Sequence, residues 1–478
     1  MVSGTNESAM ASEIQQLSDL ISSSVAALLQ ACKSNNTPFP NTNEPFTPQS
    51  EAFRANQVAV DATNVIAAAA IQLAQRVLPP HMSLMSIVSG HFKNAALRTA
   101  LELNVTEILR EAGPQGLHVN DIAKICDVDP PKLSRLLRML ALDQCYREVS
   151  PDVYANTRIS SVLDSGKSVA ELLEKPEDKH EGTPGFVALV EHLCGDGAKF
   201  SSQLLENLKD TKTARSDEPI HAPFNRAFNV DKPLWEWYET PEQSYRRRRF
   251  AVAMQGIAHL QPPDILDHAL DWNVLPEGSI VVDVGGGLGT SSVAVARNNK
   301  HLKFVVQDLA AVCEEAETHW SKEDPEMIES GRLTFTPHDF FTPQPVTNAS
   351  VFILKQILHD WADPYSAKIL KALRAAAMPD TKLILIDNIV AYACHDPSTD
   401  SGSDDEYHEA PAPLLPNFGA ANVMPYVVDL GMMIWLNSTE RTIGQLDALL
   451  KSTGWKIIGT KRHDPPSNFY EPVIAAPI

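Results

Sequence analysis

Residues 279–292 read SIVVDVGGGLGTSS, a β-branched run that breaks into closely spaced glycines and then into hydroxyl side chains opening the helical pattern SSVAVARN. Gly285, Gly286, Gly287 and Gly289 allow a tight strand-to-helix turn and let a ligand approach the backbone N–H groups at a helix start. The same alternation recurs downstream in LKFVVQDL, RLTFTPHDF, VFILKQI and KLILIDNIV. Short apolar strands separated by helices predict a parallel sheet covered on both faces. At the end of the chain GWKIIGTKRHD and EPVIAAPI carry the pattern of an antiparallel hairpin. Residues 261–478 are therefore expected to form an α/β, Rossmann-like unit: a seven-stranded, mostly parallel sheet with a terminal antiparallel hairpin.

Ligands of open α/β sheets bind beyond the carboxyl ends of the strands, so the strand ends carry the functional signal. Asp283 stands just before the glycine turn. Asp308, followed by Leu309, ends the second strand, where an acidic side chain can accept both hydroxyls of a ribose. Asp339 and Phe340 end the third, positioned to hydrogen-bond and flank an adenine. A dinucleotide loop of the Gly-x-Gly-x-x-Gly type would have Thr290 as its third glycine, which counts against an NAD-dependent oxidoreductase. Anionic, anionic and aromatic strand ends in series suit S-adenosylmethionine, which presents a sulfonium, an amino acid, a ribose and a base. The fourth strand ends in His359, and His is the side chain whose unperturbed pKa lies near neutrality, as a general base requires.

The 478-residue chain as a whole is of ordinary globular composition, 44% hydrophobic and 21% charged. A formal charge of −20 argues against a phosphate-backbone partner. Six scattered cysteines without a Cys-x-x-Cys pair, and no basic-then-apolar leader at the start, lead us to expect a soluble cytoplasmic protein. The alanine-rich run Val65 to Leu78 is interrupted by Gln72, Gln75 and Arg76, which counts against a membrane span.

Apolar residues at helical spacing from Ile14 to Leu29 give an amphipathic helix. A Pro- and Asn-rich wrapping arm follows, and the helical pattern resumes from about Ala52 to Leu78. We expect residues 1–90 to form N-terminal helices and a linker serving dimerisation. Residues 91–165 read as a winged-helix-like dimerisation domain, with a helix-turn-helix over Val119 to Leu140 and strands near Cys145 to Val149 and Val153 to Asn156. A winged helix also occurs in DNA-binding proteins, but here Lys and Arg are nearly cancelled by neighbouring Asp and Glu. Residues 166–260 read as a helical connection lining the substrate.

Several stretches together resemble the S-adenosylmethionine-dependent O-methyltransferases of the plant caffeate and isoflavone type, and more closely fungal polyketide methyltransferases of the sterigmatocystin type. They are ALRTALELNVTEIL, VVDVGGGLGTSS, FVVQDLAAV, HDFF, ILKQILHDWAD and NSTERT. The resemblance implies His359 as proton acceptor, with Glu440 and Asp387 as the carboxylates that orient it, Asp387 standing where the plant enzymes usually have Glu. It implies Asp283, Gly285, Gly286, Gly287, Gly289, Asp308, Leu309, Asp339, Phe340 and Lys355 around the cofactor. Met254, Trp361, Met433 and Asn437 are the expected acceptor contacts, and a homodimer and a small phenolic substrate are the expected partners.

Three alternatives stand beside this reading. Asp360, Asp387 and Asn388 have the oxygen donors of a magnesium-dependent catechol-type methyltransferase. An NAD-dependent oxidoreductase and a non-catalytic winged-helix binding protein are the others. The stretch 391–420 is acidic in its first part and expected to be a solvated loop. Its apolar end, Leu414 to Met424, is expected to help cover the acceptor.

Overall fold

The computed structural model describes residues 3–260, 264–397, 409–460 and 472–478, with side chains from residue 12 onward and not at 259 and 260. The acidic residues 398–408 and the hairpin connection 461–471 lie outside the described residues. Two long helices, Ser3–Ser34 and Gln57–Val77, pack side by side along Leu28, Ala31 and Cys32 against Ala59 and Ala62. By length and composition the second could cross a membrane, yet its Ala68 and Ala69 are buried with Leu17 and Leu414. The Pro-rich arm between them runs along the helix Arg158–Ser161, where the Arg158 N–H donates to Thr42 O (2.8 Å) and the Phe46 N–H to Ser161 Oγ (2.8 Å).

The helix-turn-helix forms as Val119–Cys126 and Pro130–Ala141. Its wing is a three-stranded sheet of β1 (Leu117–His118), β2 (Tyr146–Ser150) and β3 (Val153–Asn156), in the order β1-β3-β2. The two-residue β1 is too short for period-two alternation to reveal in the sequence.

The main sheet comprises β4 (Ile280–Val284), β5 (Lys303–Asp308), β6 (Leu333–Pro337), β7 (Ala349–Lys355), β8 (Lys382–Ile386), β9 (Trp455–Thr460) and β10 (Val473–Pro477). The order is β6-β5-β4-β7-β8-β10-β9, parallel except where β10 runs against β8 and β9. β7 and β8 are buried on both faces, which is why they read as unbroken apolar runs rather than alternating ones. The chain order reverses between β4 and β7, and such a switch point opens a crevice at the strand ends. β4 ends there in the glycine turn, and β7 leads there into the short turn that carries His359.

Candidate active site

The glycine turn divides into packed and open positions. A Cβ on Gly285 (φ +71°) would stand 2.5 Å from Ile357 Cδ1, and one on Gly286 would stand 2.7 Å from the Asp283 carboxyl carbon. At Gly287 (φ +58°) a Cβ would meet nothing within 4 Å. Two glycines thus let the loop pack, while Gly287 faces free space. Asp308 braces the loop from the next strand: its Oδ2 accepts the Gly287 N–H (2.8 Å) and its Oδ1 the Leu309 N–H (2.7 Å). Asp283 lies beneath, accepting from Ser292 Oγ at 2.6 Å. Burial pushes its carboxyl up to about 6, partly offset by Ser292 and Lys355. Lys355 is lowered by its own burial and held up by Asp283.

Asp339 is exposed, and its Oδ1 accepts the Phe341 N–H (2.9 Å). Phe340 approaches the position a Gly285 Cβ would take and lies 6.0 Å from Trp361, ring centre to ring centre. Trp361 also packs edge-on against Phe341 (4.7 Å, 88°). It therefore joins an aromatic group with Phe340 and Phe341. Leu309 is 66% exposed at the rim.

Beyond β7 the backbone is strained. Gln356 takes φ +56°, a left-handed conformation that is costly for a non-glycine residue. The chain then tightens into a single 3-10 turn, Leu358–Asp360, which carries His359. Arg441 clamps that turn: its guanidinium donates to Leu358 O (2.9 Å), Trp361 O (2.9 Å), Ser366 Oγ (3.1 Å) and Asp363 Oδ1 (2.9 Å). The Arg441 segment is itself fastened behind β8 by a parallel bridge to Ile389 and the Val390 N–H to Arg441 O bond (3.0 Å).

This fastening brings Glu440 to His359, with Nδ1 to Oε1 at 2.8 Å. Asn388 donates to the same Glu440 oxygen at 2.8 Å, and the Glu440 N–H donates to Asp429 Oδ1 at 2.9 Å. His359 Nε2 lies 3.4 Å from Asp360 Oδ1. Burial alone would lower the imidazole pKa, but Asp360, Glu440 and Asp387 outweigh it and hold it up to about 10. Asp360 is pushed up to about 6 by burial, against the pull of His359.

Asp387 differs from its expected role. It acts on His359 through space, with no hydrogen bond to the ring, and burial raises its carboxyl. Asp387 Oδ1, Asn388 Oδ1 and Glu440 Oε2 are all buried without a partner among the described residues. Acceptors crowded without donors favour a proton on the carboxyl with the highest pKa. The residue that the sequence reading missed as a support for Glu440 is Asn388, and the one that it missed as a clamp is Arg441, visible only as a letter of NSTERT.

Asn437 caps the helix Met424–Leu436 in a left-handed conformation (φ +55°) and donates its side-chain amide to Ser216 O (2.6 Å) and Glu218 O (3.0 Å). Those bonds hold the loop of Ser216 and Glu218 against the end of this helix. Met254 is half-buried beside Ala188, Leu189 and Ala253 on the helix Ser244–Leu260, and Met433 is half-buried on Met424–Leu436. The apolar end of the insertion packs on the N-terminal helices: Leu414 is buried with Leu17, Ala68 and Ala69, and Gln72 Nε2 donates to Pro413 O (2.8 Å). Among the described residues no three His, Cys, Asp or Glu side chains are grouped to hold a metal ion.

A glycine turn under a braced acidic strand end, facing an anchored histidine, defines an S-adenosylmethionine-dependent methyltransferase site, and comparison with known proteins specifies it. An O-methyltransferase domain profile matches residues 204–407 and an O-methyltransferase dimerisation domain residues 85–165. The chain is 42% identical over 455 residues to "4-O-methyltransferase 1" of Phanerochaete chrysosporium, covering 95% of this chain and 96% of that one. In fold it is similar to mitomycin 7-O-methyltransferase MmcR (TM-score 0.60, 23% identity, 84% and 98% of the two chains). LepI, solved in complex with S-adenosylmethionine, is similar too (TM-score 0.63, 19% identity, 87% and 94%). The protein belongs to the O-methyltransferase family and is an S-adenosylmethionine-dependent enzyme. The residues present are compatible with that cofactor: the space over Gly287 is open, beside the Asp308 carboxylate that accepts its N–H.

Proposed function

We propose that the enzyme methylates a hydroxyl of a small phenolic acceptor of the polyketide kind, with His359 as general base. The observation that carries this reading is the Nδ1 anchor on Glu440, which leaves Nε2 as the nitrogen able to take a proton. A phenol is a weak nucleophile until it loses its proton, because its pKa is near 10. The cofactor supplies an electrophilic methyl on a sulfonium. His359 Nε2 takes the phenol proton, the phenolate oxygen bonds to the methyl carbon, and the C–S electron pair stays on sulfur. Glu440 then stabilises the imidazolium, as the acid of a catalytic triad does.

The ligand-free cluster holds that imidazole charged at neutral pH, so the base must first lose its proton. Positive charge entering the crevice with the sulfonium lowers the proton affinity of His359 and works in the required direction. General-base catalysis is worth about two to four powers of ten. Purified protein incubated with methyl-labelled S-adenosylmethionine and a panel of phenols tests the reading. Transfer by wild type and loss by His359→Ala are expected; equal transfer by both overturns the base assignment. The similarity to 4-O-methyltransferase 1 of Phanerochaete chrysosporium makes 4-hydroxyls the first position to assay.

The metal-assisted alternative makes Asp360, Asp387 and Asn388 ligands, but Asn388 already supports Glu440. Activity that a chelator abolishes and Mg²⁺ restores would overturn the metal-free mechanism. We further propose a cytoplasmic homodimer. The helix Pro80–Val88, at the edge of the matched dimerisation domain, has no buried residue and exposes Met82, Leu84, Met85, Ile87 and Val88. A monomer by light scattering at micromolar concentration would defeat the dimer.

A further inference from the structure

A cavity of about 390 Å³ opens between the helix Gly90–Glu102, which brings Arg98 and Glu102 to its wall, and the helical connection, which brings Lys179, Glu191 and Arg249. Its lining shares no residue with the glycine turn or the His359 cluster. The volume is that of a site for a small organic molecule, which spans about 300–1,000 Å³. Its walls are mostly charged rather than apolar, so the charges decide what it can hold.

Nearly all of them are matched. Arg98 Nε donates to Glu102 Oε1 (2.7 Å). Glu191 accepts from Arg249 Nη1 (3.0 Å) and lies 2.7 Å from His180 Nε2, while Asp196 accepts from Arg249 Nη2 and from Arg246 Nε (3.2 Å). Lys179 differs. It is 6% exposed, and its ammonium donates to two neutral oxygens, Leu101 O and Asn104 Oδ1 (2.9 Å), with no ion pair to a carboxylate among the described residues. An ammonium has three N–H donors, so one remains for a ligand. Burial lowers the Lys179 pKa, and Glu107, Glu191 and Glu102 hold it up only through space. A cation taken out of water without a counterion is costly, and an anion that reaches it is favoured accordingly.

We propose that this cavity binds a small organic monocarboxylate, its anionic end paired with Lys179 and its apolar body against Leu172, Pro176 and the Tyr245 ring, which also line the space. A single negative charge follows from the wall. The arginines already have carboxylate partners, so a second carboxylate would find no free cation and would add to the charge of Glu191, Asp196 and Glu242. Bound there, the ligand joins the dimerisation unit to the helix Ser244–Leu260 that carries Met254, and braces one against the other.

The probe is benzoate, with neutral benzamide and dianionic succinate as comparisons, titrated calorimetrically into the full chain saturated with S-adenosylhomocysteine. Two variants locate the binding. Lys179→Met keeps the stem and removes the charge. Gly195→Leu fills the space without touching a charge: Gly195 lines the cavity, and a Cβ there would meet only Arg98, at 3.8 Å, an ordinary contact. Wild type is expected to bind benzoate at least about tenfold more tightly than benzamide or succinate, and each variant to lose at least about tenfold of the benzoate affinity. Benzoate should also raise the melting temperature of wild type and not that of the variants. Melting temperatures without ligand check folding; should one variant fail to fold, the other decides. No binding of benzoate at millimolar concentration, meaning a cavity that holds water only, overturns the proposal. So does benzoate affinity retained in a folded variant, which would place the ligand elsewhere, as in the acceptor crevice.

Discussion

His359 Nδ1 and Glu440 Oε1 lie 2.8 Å apart, although 81 residues separate them in the chain. The contact commits one ring nitrogen and leaves the other beside Asp360. Because carboxylates hold the imidazole up to about 10, kcat/KM in the ligand-free enzyme should climb as pH rises toward that value. Replacing Glu440 by Gln removes one of those charges, so the climb should shift to lower pH while the plateau falls about tenfold or more. A pH profile that does not move would show that Glu440 does not set the proton affinity of His359.

The same pair contributes to stability with a definite sign. A histidine whose folded pKa lies above its unfolded value of about 6.5 stabilises fully below that value, and the contribution is lost as pH rises through about 10. Glu440→Ala should cost about 3–5 kcal/mol at neutral pH, where it strands a buried charge, and clearly less near pH 10. Urea midpoints of wild type and variant at several pH values check this; a gap that widens with pH contradicts it.

Gly287→Ala and Gly286→Ala should fail in different ways. At Gly286 a Cβ strikes Asp283 and Val306, so folding stability falls. At Gly287 the space is open and the cost to folding is only the left-handed backbone, about 1 kcal/mol. If Gly287 borders the cofactor as proposed, the added methyl enters that open space, so S-adenosylhomocysteine affinity should drop far more than melting temperature. Titration calorimetry with thermal melts separates the two.

Arg441→Lys keeps the charge and loses the fork that grips both ends of the His359 turn. We expect kcat to fall at least tenfold with a modest loss of stability. Asn388→Leu should act on the same axis, freeing Glu440 from its second partner. In both, the pH profile should broaden or shift, because a loosened Glu440 no longer holds His359 in one charge state.

Leu17 and Leu414 bury each other's surface between the first helix and the insertion after residue 408. Leu414→Ala should cost about 2–5 kcal/mol if that packing is as tight as a core. Faster proteolysis between the N-terminal helices would accompany it. Unchanged proteolysis would mean that the two segments fold independently.

The elements legible in the chain were those whose pattern is local. VVDVGGGLG announces a strand and a turn because β-branched residues and glycines have opposite backbone preferences, and β4 and its glycine conformations follow. Helix-turn-helix periodicity likewise survives into Val119–Cys126 and Pro130–Ala141. Contacts that depend on a partner far along the chain carry no such local signal. Trp361 sits in a motif beside His359, yet its neighbours are Phe340, Phe341 and Tyr365, which no spacing announces. The Asn437 amide likewise holds Ser216 and Glu218 from more than 200 residues away.

The sequence by itself determined the sheet, its glycine turn and the placing of a histidine at a strand end, because periodicity and backbone preference act over a few residues. Only the tertiary structure decided how that histidine is charged and held. Proton affinity in a buried site depends on every carboxylate within a few ångströms, and Asp360, Asp387 and Glu440 reach His359 from three different segments through the Arg441 clamp.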